Sequence, residues 1–345
     1  MPKVEAIRWR GTRLFLLDQR LLPGREQWIE ISSVDAAIGA IIDLMVRGAP
    51  AIGITAAYAS VLAARARGED RAGWEADLDR LEAARPTAVN LRWALQRMRH
   101  VLESGETPAT GLERLQHEAE RIHLDDQQGN LRMAEAGSAL IEPGSRVLTH
   151  CNTGSLATGG TGTALGVIVH GFRDGRIDEV FACETRPWFQ GLRLTAWEFD
   201  REGVPCRVLV EGAAASLLAS GRIDWVITGA DRVTANGDMA NKIGTFMLAA
   251  LARQFGVKMM VVAPVSTLDP DTADGAAIEI EERSADEIWR SAGIDQPPAL
   301  ARAFNPVFDV TPAAFIDAIV TERGVLRPPF GGAVEALVQG PGDGS

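Results

Sequence analysis

The sequence predicts an α/β protein: an N-terminal helical bundle carrying a small antiparallel sheet, then a Rossmann-like domain on a parallel sheet. Three observations predict it. Short apolar runs alternate with helical ones after residue 145. Helical periodicity dominates residues 33–141. Three strand-like runs separated by Gly and Pro open the chain. A length of 345 residues suits two domains, placed at 1–141 and 142–345.

The runs "AIRWR", "RLFLLDQ" and "EQWIEI", within residues 6–31, read as an antiparallel meander. Ser33 can cap a helix in which Val34, Ala37, Ile38, Ile41 and Met45 recur at helical spacing. "RGAP" then interrupts. Gly48 suits a left-handed helix stop, and Pro50 suits the first turn of a new helix over 51–67. Two further helices follow around 70–84 and 90–103, and Thr107-Pro108 starts a long one reaching 141. Beyond "EPGS" the predicted strands are 147–150, 180–183, 207–210, 225–228 and 258–263. Helices near 161–170, 190–202, 212–220 and 242–255 lie between them, which requires right-handed crossovers and a parallel sheet. "FDVTPAAFIDAIVTERG" reads as a last helix, with Thr311 as cap and Pro312 at its first position, and "QGPGDGS" as a frayed tail.

A formal net charge of -11 argues against a nucleic-acid partner, because phosphate-backbone binding depends on Lys and Arg neutralising charge. The three cysteines, Cys151, Cys183 and Cys206, form no CxxC pair and read as reduced thiols of a cytoplasmic enzyme. No secretory signal and no membrane span is expected. His100, His117, His123 and His170 show no metal-ligand spacing, so no metal site is expected.

In an open parallel sheet, ligands sit beyond the carboxyl ends of the strands. That rule gathers Cys151, Asn152 and a glycine loop beyond the first strand, and "ETRPWFQG" beyond the second. It adds Glu211 beyond the third and "GADRVTANGDMANKIG" beyond the fourth. The loop "GGTGTALG" lacks the dinucleotide fingerprint: with Gly160 and Gly162 as its first two glycines, the sixth position is Leu165. No Lys-Ser/Thr pair follows, so it is no Walker loop, and an NAD-dependent dehydrogenase is disfavoured. Two readings stand: an anion loop offering free N–H groups at a helix start, or a tight turn that lets helix and sheet pack closely.

Cys151 is either a small buried hydrophobe or a functional thiol at a strand end. His150 faces the other way along the strand and makes a poor partner for it. Asp231 ends an apolar run, where desolvation tends to raise a carboxyl pKa and suits a general acid; an ion pair to Arg232 or a turn cap is the alternative. Asn241 and Lys242 open the next helix. Lys242 is unfavourable for the dipole there, which an anionic ligand or a nearby carboxylate would explain. Arg47, Gly48 and the N–H groups after them can hold a phosphate or make an ordinary turn; Arg85 is a second cation in a loop before a helix.

"RGAPAIG", "ARPTAVNL", "THCNTG", "ETRP…QGLRLTAWE", "TGADR…NGDMANKIGT" and "NPVFDVTP" occur in order from residue 47 to about 324. Together they resemble the methylthioribose-1-phosphate isomerase family of methionine salvage. Its wider superfamily includes the regulatory subunits of the exchange factor for translation initiation. The resemblance implies that Cys151 stabilises the transition state and Asp231 donates a proton. It implies that Arg47, Gly48, Ala49, Arg85, Gln190, Asn241 and Lys242 bind substrate. It implies a homodimer that needs no metal or cofactor, and a small sugar phosphate as substrate. Alternatives are an isomerase of 5-deoxyribose 1-phosphate or ribose 1,5-bisphosphate, or a non-catalytic regulatory subunit.

Overall fold

The computed structural model describes residues 3–86 and 88–340; the frayed tail expected at the C-terminus lies outside them from residue 341 on. By packing, the chain divides into one unit of Met1–Leu131 with Thr153–Gly162, and a second of Arg132–Asn152 with Thr163–Ser345. The shift in sequence pattern falls instead at 141/142: helical periodicity continues to the end of α5, whereas Met133, Ala136, Leu140 and Ile141 already pack in the core of the second unit, and the loop 153–162 returns to the first.

In the first unit, β1 (Ile7–Arg10), β2 (Arg13–Leu17) and β3 (Trp28–Ile31) form the expected antiparallel meander with β2 in the middle. Leu14 and Leu16 are fully buried from alternate positions of β2, as the period of two requires. The α1 helix (Val34–Ile42) starts where Ser33 Oγ accepts the Ala36 N–H. It ends sooner than the apolar spacing suggests, because Leu44 adopts φ 59. Gly48 is therefore not its stop but the N-cap of α2 (Ala49–Arg67), at φ 97. By length and composition α2 could cross a membrane, but it is mostly buried within its own unit and serves as a core helix. The unit is completed by α3 (Arg71–Ala83), α4 (Val89–Val101) and α5 (Leu112–Ser138) up to Leu131, the rest of α5 from Arg132 belonging to the second unit. Thr107 starts a turn rather than α5 itself: its Oγ1 accepts the Thr110 N–H, and its carbonyl accepts the Gly111 N–H.

The second unit runs β4 (Ser145–Thr149), α6 (Ala164–Arg173), β5 (Ile177–Cys183), α7 (Ala196–Glu202), β6 (Cys206–Leu209), α8 (Ala214–Ala219) and β7 (Trp225–Thr228). It continues with β8 (Arg232–Thr234), β9 (Met239–Lys242), α9 (Thr245–Phe255), β10 (Lys258–Val262), β11 (Leu268–Asp269) and α10 (Asp286–Ser291). It closes with β12 (Phe308–Thr311), β13 (Ala318–Thr321), β14 (Gly324–Leu326) and α11 (Ala333–Gln339). The main sheet has the order β14-β13-β10-β7-β4-β5-β6, with every neighbouring pair parallel except β13–β14. Leu148, Phe181, Val226 and Met259 pack on one face; Val147, Val180, Trp225, Ile227 and Met260 pack on the other. Both faces are buried, so the strands read as continuous apolar runs.

Two expectations are corrected here. Residues 308–324 do not form a last helix. Thr311 ends β12, and only a single 3₁₀ turn, Ala313–Phe315, follows Pro312. "AIVT" then enters the main sheet beside β10 with all four residues buried, since its three β-branched residues suit a strand covered on both faces. Asn241 and Lys242 do not open a helix either. They end β9, and α9 begins only after Gly244, whose φ of 102 breaks the strand direction. The reading of Lys242 as a cation misplaced on a helix dipole falls with that.

Candidate active site

The chain runs from β4 outward through β5 to β6, then crosses to β7 on the other side of β4. The strand order therefore reverses between β4 and β7, and a crevice for a ligand opens beyond their carboxyl ends at such a switch point. Cys151 follows β4 by two residues and Asp231 follows β7 by three. These are neighbouring strands, paired Thr149↔Ile227 and about 4.8 Å apart. The sequence-predicted thiol and carboxyl thus flank the switch point.

Cys151 is 7% exposed and sits at φ 63, a left-handed conformation rare for a residue with a Cβ. Its N–H donates to Thr185 Oγ1 at 2.9 Å, and its carbonyl accepts from Thr195 Oγ1 at 2.7 Å. The next residue, Asn152, is buried and donates from Nδ2 to Thr195 Oγ1 at 3.2 Å and to Glu198 Oε1 at 2.7 Å. His150 is fully buried, and its Nε2 lies 2.8 Å from the carbonyl of Ile243. Burial holds the imidazole below its usual pKa, so Nε2 carries the proton and donates. The ring thus braces the segment after β9 and is not a base for Cys151, as the strand alternation predicts. The other two thiols are poor nucleophiles: burial pushes Cys206 up to about 12 and Cys183 well above its ordinary value.

Asp231 is half-buried at the mouth of a hairpin that the sequence reading did not find. The β8–β9 register pairs Arg232 with Ala240 and Val233 with Met239, which sets Asp231 opposite Asn241. The Asp231 N–H donates to the Ala240 carbonyl at 2.9 Å and closes that end of the ladder. Arg232 forms an ion pair with Asp269 at 3.2 Å. Asn241 is buried and donates from Nδ2 to Thr245 Oγ1 at 3.0 Å. Lys242 Nζ donates to the Val307 carbonyl at 3.1 Å and lies 4.7 Å from the Phe308 ring centroid. Across the ladder from Asn241, Asp309 accepts the Gly244 and Phe246 N–H groups at 2.7 and 3.1 Å and caps α9. Burial pushes the Asp309 carboxyl up to about 6, against the pull of those N–H groups and of Lys242. The carboxylate alternative weighed for Lys242 is thus present in Asp309.

Gln190 lies beyond β5, 7% exposed, and its buried Oε1 makes no hydrogen bond. A buried acceptor without a donor is costly, so this atom is suited to a ligand hydroxyl. Nearby, burial and the adjacent Glu211 raise the Glu184 carboxyl above the usual range. Glu211 Oε1 also accepts the Arg186 N–H at 2.8 Å.

In the first unit, Arg47, Gly48 and Ala49 form the entry to α2, and Arg85 lies between α3 and α4. A Cβ on Gly53 would sit 2.8 Å from the Asn90 carbonyl. The second turn of α2 therefore meets the first turn of α4, and the two cation-bearing loops lie at the N-terminal ends of that helix pair. The glycine loop resolves toward its packing reading. Gly159, Gly160 and Gly162 donate their N–H groups to Asp126 Oδ2, Thr158 Oγ1 and Asn130 Oδ1 at 2.7, 3.2 and 2.7 Å. The Gly159 carbonyl accepts from Gln127 Nε2 at 2.9 Å. These N–H groups are already satisfied and offer no cradle to an anion. Among the described residues, no cluster of three or more His, Cys, Asp or Glu side chains is placed to hold a metal ion.

Thr185, Thr195 and Glu198 are the site residues that local sequence rules missed. All three lie in the quoted "ETRP…QGLRLTAWE" stretch, but nothing in hydrophobic spacing distinguishes a hydroxyl that grips a backbone from one that caps a turn.

The profile of the initiation factor 2 subunit family matches residues 45–328. A methylthioribose-1-phosphate isomerase of Thioalkalivibrio sulfidiphilus is 57% identical over 342 residues, covering 97% of each chain. One from Alkalilimnicola ehrlichii is 54% identical, covering 99% of this chain and 100% of its own. The crystal structure of 5-methylthioribose 1-phosphate isomerase from Pyrococcus horikoshii superposes with a TM-score of 0.88 at 38% identity, over 98% of this chain and 96% of that one. A structure described as translation initiation factor eIF-2B, subunit delta, from A. fulgidus gives 0.83 at 36% identity, over 97% of this chain and 99% of that one.

Proposed function

Since the chain belongs to the initiation factor 2 subunit family, on its methylthioribose-1-phosphate isomerase branch, we propose that it converts 5-methylthioribose 1-phosphate to 5-methylthioribulose 1-phosphate, with Asp231 as acid and Cys151 acting at the hydrogen transfer. The observation that carries this reading is the emergence of Cys151 and Asp231 from adjacent strands at the switch point, with Asn241 opposite Asp231.

The substrate poses a specific difficulty. Its anomeric carbon bears the phosphate, so the ring cannot open to a free aldehyde, and it must open with the phosphate attached. Protonated Asp231 gives its proton to the ring oxygen as the C1–O bond breaks. Hydrogen then passes from C2 to C1 while the C2 hydroxyl gives its proton to the carboxylate that Asp231 has become, leaving a ketone at C2, a CH₂–phosphate at C1 and the acid restored. Cys151 acts at this transfer, which runs either as a proton through an enediolate-like species or as a hydride. Gln190 Oε1 accepts from a sugar hydroxyl, Asn241 and Lys242 contact the substrate, and Arg47, Gly48, Ala49 and Arg85 complete the substrate-binding set. The three free thiols support a cytoplasmic setting, and the homodimer that the family resemblance implies belongs to the same proposal.

The test is Asp231→Asn. Turnover is expected to vanish with substrate affinity nearly intact; retained turnover refutes the acid role. Deuterium at C1 after reaction in heavy water excludes a pure hydride shift. Parallel assays on 5-deoxyribose 1-phosphate and ribose 1,5-bisphosphate decide the substrate. Absence of turnover on all three by the purified chain would favour the regulatory-subunit reading, to which the A. fulgidus likeness gives a basis.

A further inference from the structure

A left-handed conformation at a residue with a Cβ persists only where the surroundings over-determine it. At Cys151 the surroundings are specific. Both polar groups of its backbone are gripped by threonine hydroxyls, from Thr185 and Thr195, and both threonines are fully buried. The direction of each bond is forced. Thr185 Oγ1 gives its proton to the Cys183 carbonyl at 3.1 Å and so accepts from the Cys151 N–H. Thr195 Oγ1 accepts from Asn152 Nδ2 and so spends its one proton on the Cys151 carbonyl. Glu198 fixes the Asn152 amide from the far side. Along Glu198–Asn152–Thr195–Cys151, both protons of Asn152 Nδ2 and the hydroxyl proton of Thr195 are thus engaged.

The segment that delivers Thr195 is built for the purpose. Gly191–Thr195 is a π turn, closed by the Ala196 N–H on the Gly191 carbonyl, five residues back. Such i→i+5 bonding widens the turn by one residue at the point where Thr195 reaches the Cys151 carbonyl. The approach leaves no space for a side chain: a Cβ on Gly191 would lie 1.7 Å from the Cys183 carbonyl oxygen. Thr185 is itself left-handed, at φ 65.

We infer that Thr185 and Thr195 are positioning residues that clamp the Cys151 peptide from both sides and thereby hold its thiol at the switch point for the hydrogen transfer. The inference rests on the catalytic reading of Cys151. It extends that reading to two side chains that act through the thiol's backbone and to the π turn that presents one of them.

The experiment uses the full chain with Thr185→Val, Thr195→Val and Thr195→Ser, and Cys151→Ala alongside. Two quantities are read: steady-state kinetics on 5-methylthioribose 1-phosphate, and the rate of iodoacetamide labelling at Cys151 by peptide mapping. Each valine variant is expected to lower kcat at least tenfold with KM within threefold, and to change the Cys151 labelling rate at least threefold. Thr195→Ser keeps the hydroxyl and is expected to restore both quantities to within about threefold of wild type. A merely space-filling threonine would be replaced well by valine and poorly by serine. Unchanged labelling in both folded valine variants overturns the clamp. If the valine variants fail to fold, a Thr195→Ser enzyme that matches neither the kcat nor the labelling rate of wild type overturns it. Full turnover by Cys151→Ala overturns the catalytic reading instead, while the labelling rates of the threonine variants, which do not depend on turnover, still decide the clamp.

Discussion

Gly48→Ala adds one methyl group to the loop that enters α2, at a point with no room for it. At φ 97 and ψ 136 the backbone is outside the regions open to alanine. The added Cβ would lie 2.5 Å from the Cβ of Ala157, 2.6 Å from its Cα and 2.7 Å from its carbonyl oxygen. Two of those three atoms are backbone, and Ala157 sits in a loop whose N–H groups are tied to α5, so the neighbour cannot yield cheaply. Conformational strain contributes about 1–2 kcal/mol and overpacking about 1–3 kcal/mol. The expected loss is therefore about 2–5 kcal/mol. Urea unfolding followed by tryptophan fluorescence measures it, since buried Trp74, whose Nε1 donates to the Ser60 carbonyl, reports on the same unit. Ala157→Gly in the same chain removes only the 2.5 Å contact and should recover part of the loss, not all of it. A Gly48→Ala protein within about 0.5 kcal/mol of wild type, the range of an inconsequential surface change, would refute the reasoning.

Three further outcomes are expected. Asp309 is protonated more readily in the folded chain than in the unfolded one. Its contribution to stability is therefore full below about pH 4 and lost as pH rises through about 6. Stability of Asp309→Asn relative to wild type should accordingly rise across that window in urea titrations and level off above it. Gln190→Leu removes the buried acceptor and should raise KM up to about tenfold in steady-state assays, the worth of one hydrogen bond, with kcat changed less. Ser33→Ala removes the cap of α1 and should cost about 1 kcal/mol in urea unfolding, with Ser33→Asp retaining it.

What the sequence disclosed follows from which forces are local. The parallel strands of the main sheet were legible because each is a short apolar run set between helical stretches, and their carboxyl ends point by topology to Cys151 and Asp231. Ser33 was legible as a cap because capping needs only neighbours in the chain. The β8–β9 hairpin was not, since its strands are short, carry Arg232, Asn241 and Lys242, and are defined by pairing with β11 and β12 far along the chain. "AAFIDAIV" carried helical spacing over its first half, and tertiary pairing with β10 overrode it. The glycine loop was ambiguous because its N–H groups are claimed by Asp126 and Asn130, residues whose nearness depends on the fold of α5. Among the residues proposed to bind substrate, Gln190 gained its physical argument only from the structure, through an oxygen that burial leaves unanswered.

The hairpin also sets a rule about length. Residues 235–238 bridge the two strands, with the Thr234 N–H on the Asp238 carbonyl and Gly237 at φ 90. Adding or deleting a single residue there would slip the ladder by one. The amide of Asn241 would then be turned to the opposite face, and a different side chain set against the carboxyl of Asp231. This bridge can drift in composition, but its span is fixed by the partners it holds in step.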